Sequence, residues 1–144
     1  MDLKSEIKYW LIEERIGLIS KDELIQRVDK KILELDNPPS YLVDISIITL
    51  ELEDELNLNL TNIDHDQILK IAERLLSLFK SNSISLTELG VHSYKLSCLI
   101  DPNNDSRTIL NWIDDEIQLI NQTVKPRKES ENEILKKLNQ LVAL

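Results

Sequence analysis

Leu and Ile recur at three- and four-residue spacing along nearly the whole chain, and together they supply 45 of its 60 hydrophobic residues. Residues so spaced fall on one side of a helix, where they can be buried together. Val contributes only 5 and the aromatics 6, so the residue types that favour strands are scarce. The pattern predicts an all-α protein. Its 144 residues match one domain of common size, read as a single helical domain over 1–144 built from six to seven helices.

Capping and breaking residues divide the pattern. Leu3, Ile7, Trp10 and Leu11 mark a first helix from Asp2 to Arg15, with Gly17 placed for the left-handed position that ends it. Ser20 with Glu23 opens a second, whose stripe of Leu24, Ile25, Val28, Ile32 and Leu35 runs to Asn37 before Pro38-Pro39 breaks it. Ile48 to Leu60 alternates apolar and polar residues as a strand would. Leu42, Ile45, Ile48, Leu52 and Leu56 also keep helical spacing, and a helix from Tyr41 to Leu56 is the preferred reading. Asp64 with Gln67 starts a helix reaching Phe79, and Ser85 with Glu88 starts another through Leu89, Val91, Leu96 and Leu99. Gly90 inside that helix points to a close helix crossing. Ile109, Ile113, Ile117, Ile120 and Val124 define the next stripe, and Glu129 to Val142 the last.

The same composition closes off several functions. Two glycines cannot build the glycine-rich loops that cradle nucleotides. The single cysteine, Cys98, permits neither an internal disulfide nor a multi-cysteine zinc site, and it suits a reducing cytoplasm. No window is long and apolar enough to cross or enter a membrane. Asp64-His65-Asp66 is the one local cluster that could hold a cation or move a proton, but no second histidine stands at ligand spacing. His92 and Cys98 fall on opposed sides of one helix and cannot act as a nucleophile pair. Cys98, Trp10 and Trp112 read as core residues, and Tyr41 as a partly exposed contact candidate or a residue buried against the proline turn. No metal, no cofactor and no catalytic residues are expected.

Charge is the main anomaly. Against 17 Lys and Arg stand 26 Asp and Glu, a net charge of −9 that repels phosphate backbones and disfavours direct nucleic-acid binding. Residues 38–124 carry an excess of nine negative charges, while the two ends cancel at −2 and +2. The candidate partner-binding residues are therefore Asp44, Glu51, Glu53, Asp54, Glu55, Asp114, Asp115 and Glu116, each able to pair with a Lys or Arg of a basic surface.

The stretch from Ile32 to Ser46, ILELDNPPSYLVDIS, resembles small helical bacterial immunity proteins of toxin systems, including those of contact-dependent growth inhibition. The resemblance implies a cytoplasmic, non-enzymatic protein that binds a cognate toxin domain, often a nuclease, and blocks its active site or substrate approach. Charge agrees independently, because a nuclease needs a basic surface that an acidic helical protein can occupy. The alternative reading is a helical regulatory or scaffolding module that grips another helix in an apolar groove. A third reading, an enzyme or metal protein centred on His65, is the least favoured.

Overall fold

The computed structural model describes residues 2–39, 42 and 63–143, and the regular elements among them are all helical. They are α1 (Leu3–Arg15), α2 (Lys21–Glu34), α3 (His65–Lys80), α4 (Leu86–Ser97), α5 (Asp105–Asn121) and α6 (Arg127–Ala143). The expected all-α class is correct. Of the helix expected over Tyr41 to Leu56, only Leu42 lies among the described residues, and it is buried. Two compact units are distinguished, residues 1–60 and 61–144.

Side chains that serve the free N–H groups of the first turn set where each helix starts. Asp2 Oδ1 accepts from Ser5 N at 2.8 Å, and Ser20 Oγ from Glu23 N at 3.1 Å. Reciprocal capping boxes open α3, through Asp64 and Gln67, and α4, through Ser85 and Glu88. Asn104 caps α5, whose first residue, Asp105, lies four residues before Ile109, the first apolar residue of its stripe.

Helix ends show a second device. After α1, Gly17 has φ 86°, with Leu18 N bonded to Glu13 O at 2.8 Å and Gly17 N to Glu14 O at 3.1 Å, the Schellman arrangement. The same pair of bonds closes α3 around Asn82 (φ 57°) and α5 around Thr123 (φ 60°). A β-branched residue rarely takes that conformation, and it was not foreseen here. It stops α5 at Asn121, so Val124 leaves the stripe and is 64% exposed. α2 also ends early, at Glu34. Leu35 is already extended (φ −101°, ψ 136°), and Leu33 is 87% exposed. Pro38 disfavours helix at the residue before it, and the chain unwinds three residues sooner.

In the first unit α1 and α2 run antiparallel, joined by Lys31 Nζ to Glu6 at 3.3 Å and Arg27 to Glu13 at 3.4 Å. Ile7, Leu11, Ile12, Leu24 and Val28 are buried here. In the second unit α6 packs on both α3 and α5, and α4 lies along α5. Its core takes Ile71 and Leu75 from α3, Leu89 and Leu96 from α4, Leu110 and Ile113 from α5, and Ile134 and Leu138 from α6. Fully burying each such side chain contributes about 1.5–3 kcal/mol. Ile63 N donates to Leu99 O at 3.0 Å, tying the entry of α3 to the end of α4.

Candidate partner-binding face

α4 and α5 form an antiparallel hairpin whose seam can be read contact by contact. Asn121 Nδ2 donates to Thr87 Oγ1 at 3.2 Å, Ser97 Oγ lies 2.8 Å from Asn111 Oδ1, and Arg107 donates to Ile100 O at 3.0 Å. At the middle stands Gly90. A Cβ there would lie 3.2 Å from Ile117 Cγ2 and 3.4 Å from Asp114 Oδ1, so the missing side chain permits the approach. The crossing expected from the sequence is present.

The seam fixes what lies beside it. On α4, Thr87, Val91, Tyr94 and Cys98 share the stripe next to the Gly90 contact, and all four are exposed. On α5, Asn111, Asp114, Gln118 and Asn121 form the facing stripe. Asn121 reaches Thr87 and Asp114 reaches Gly90, so both stripes border one side of the hairpin. The result is a face with an aromatic ring and a valine on one half, amides and a carboxylate on the other. Val91 is 45% and Tyr94 53% exposed, so Val91 is no part of the buried stripe where the periodicity had placed it.

Asp114 is half-buried, and burial raises its carboxyl above the ordinary Asp value; the Gln118 amide, donating to Oδ2 at 3.1 Å, acts in the opposite direction, and the charge of Asp115 adds to the rise. Asp115 is exposed. Neither is paired with a cation among the described residues.

Glu116 differs from its two neighbours and corrects the sequence reading. It is buried, and Lys125 Nζ lies 3.0 and 2.8 Å from its two oxygens. Its position three residues after Ile113 and four before Ile120 puts it in the inward stripe, so its charge is spent internally. Asp44, Glu51, Glu53, Asp54 and Glu55 lie outside the described residues.

The other candidates settle as follows. His65 is the exposed first residue of α3, and Asp64 beside it is engaged as the helix cap. No group of three or more potential metal ligands gathers among the described residues. His92 is buried and Cys98 exposed, which corrects the placing of Cys98 in the core. Trp10 and Trp112 are half-buried rather than core anchors; Lys137 Nζ sits 5.4 Å from the Trp112 ring centre. A shallow groove along α1 and α2 is lined by Glu6, Trp10, Arg27, Lys30, Lys31 and Glu34, with Lys31 matched by both glutamates. No helix among the described residues is long and apolar enough to cross a membrane.

Of the residues bordering this face, the sequence singled out Asp114 and Asp115, placed Val91 in the buried stripe and did not single out Tyr94. The signal was available: once Gly90 is taken as the crossing point, the residue after it and the residue one turn on must flank the seam. No family model matches this chain, and no curated protein or solved structure matches it either.

Proposed function

We propose that this chain is a non-catalytic binding protein that neutralises a basic partner, as an immunity protein does with its cognate toxin domain, a nuclease being the best-suited toxin. The observation that carries the reading is the pair Asp114, half-buried at the seam, and Asp115, exposed, neither with a cation beside it among the described residues. Two such charges on a chain of net charge −9 attract a lysine- and arginine-rich surface and hasten encounter with it. Occupying that surface denies it to nucleic acid. The stretch Ile32 to Ser46 supports the same reading through its resemblance, and Asp44, Glu51, Glu53, Asp54 and Glu55 are assigned the same role. The working compartment is the cytoplasm.

The test is a search of the neighbouring genes for a large secreted protein, co-expression with its C-terminal domain, and association kinetics between the two. Protection of the host, with an on-rate that falls about tenfold or more between low and high salt and again on reversing Asp114 and Asp115 to Lys, is the expected result. Absence of protection, with binding indifferent to salt, overturns it. Binding that ignores salt but collapses when Val91 and Tyr94 are replaced would instead favour a helical scaffolding module, a reading to which the exposure of those two residues lends weight.

A further inference from the structure

Gly90 is buried at the α4–α5 crossing, and its missing side chain leaves room for Asp114 Oδ1, 3.4 Å from where a Cβ would stand. Tyr94 stands one helical turn further along α4, exposed, and the register set by Thr87–Asn121 and Ser97–Asn111 places it level with Asp114 on α5. Gln118 holds the other oxygen, Oδ2, at 3.1 Å, so Oδ1 is the one turned to the seam. An exposed ring and a carboxylate without a cation among the described residues therefore border one spot at the seam.

We infer that this spot receives an arginine side chain of a protein partner, its guanidinium stacked on the Tyr94 ring and hydrogen-bonded to Asp114. The inference rests on the proposed binding of a basic partner and names how the contact is made. Arginine fits better than lysine for a physical reason. Its planar, weakly hydrated head can lie on a ring and present its edge to a carboxylate at once, whereas an ammonium is compact and strongly hydrated. Val91 gives apolar surface for the arginine stem.

The experiment uses the full chain, labelled with nitrogen-15, titrated with a blocked alanine-based helical peptide carrying three arginines, and with its lysine and citrulline twins. Expected are saturable amide shifts confined to Val91, Tyr94, Asp114 and Gln118, with affinity about fivefold above the lysine twin and no binding of the citrulline twin. Asp114→Asn and Tyr94→Ala each weaken the arginine peptide about fivefold or more, and Tyr94→Phe retains it, because only the ring is needed. Shifts elsewhere on the chain, or equal affinity for arginine and lysine in wild type and variants, overturn the arginine site and leave the wider electrostatic reading standing. No response to either cationic peptide overturns both.

Discussion

Lys125 Nζ bridges both carboxylate oxygens of Glu116, at 2.8 and 3.0 Å, from the segment that joins α5 to α6. The carboxylate side chain is only 6% exposed, whereas the lysine is 43% exposed. The two partners are therefore unequal in what their loss costs. Removing the lysine leaves a buried charge with no counter-ion, while removing both leaves an apolar gap that a Leu–Met pair can fill. Lys125→Met should destabilise the protein by about 1.5–3 kcal/mol, and adding Glu116→Leu should recover most of it. Urea unfolding of the single and double variants decides the matter; a double variant no more stable than the single one would contradict the account.

Gly90 sets the separation of α4 and α5. Alanine there gains about 1 kcal/mol in helix propensity, but its Cβ meets Ile117 Cγ2 at 3.2 Å, and that isoleucine is buried and can give only a few tenths of an ångström. The two effects nearly cancel, so Gly90→Ala should leave stability within about 1 kcal/mol of wild type. Gly90→Val adds two further carbons with no room for them, and it should cost about 1–3 kcal/mol. Thermal unfolding of both variants measures the difference.

Helix starts were legible because the capping residue and its partner three positions on are written in the chain, as Asp64–Gln67 and Ser85–Glu88 show. Two ends were not. Asn82 and Thr123 take left-handed backbone that is usually left to glycine, and Thr123 does so against its own preference, held by its own N–H on Ile120 O and the Val124 N–H on Leu119 O. Burial was legible where the stripe is unambiguous. Glu116 shows how it fails: three consecutive acids cannot all face outward on a helix, and the phase of Ile113 and Ile120 already singled out the one turned in. Tyr94 and Val91 depend on which side of α4 meets α5, a tertiary relation that periodicity within α4 alone does not contain.

The capping box of α4 makes stability depend on pH. The Ser85 backbone N–H donates to the Glu88 carboxylate at 3.0 Å, and this bond, with the Ser85 hydroxyl, holds its carboxyl below the ordinary Glu value. A carboxyl lowered in the folded state binds protons more readily when unfolded. Its stabilising effect is complete above the ordinary Glu value and is lost as pH falls through the folded one. Glu88→Gln should therefore flatten that part of the acid limb while keeping the cap. Ser85→Ala removes the hydroxyl acceptor as well, and should lower stability near neutral pH by about 1 kcal/mol. Denaturant midpoints across the acid range, wild type against each variant, give the readout.

Asp114 should behave in the opposite sense. Burial, and then the neighbouring charge of Asp115, raise its carboxyl above the ordinary Asp value, in part offset by Gln118. The folded state then binds the proton more readily than the unfolded state does. Stability falls as pH rises from the ordinary Asp value through the raised one, and stays reduced above it. Asp114→Asn keeps the shape and can still hydrogen-bond Gln118, but lacks the charge. It should be more stable than wild type at neutral pH, and that advantage should vanish in acid once the wild-type carboxyl is protonated. The same variant should bind a basic partner less well. A carboxylate kept at some cost in stability is what a binding surface requires when its counter-charge arrives only with the partner. Paired measurements of unfolding midpoint and partner affinity on Asp114→Asn test the link: a variant less stable at neutral pH, or one that binds the partner as tightly as wild type, would break it.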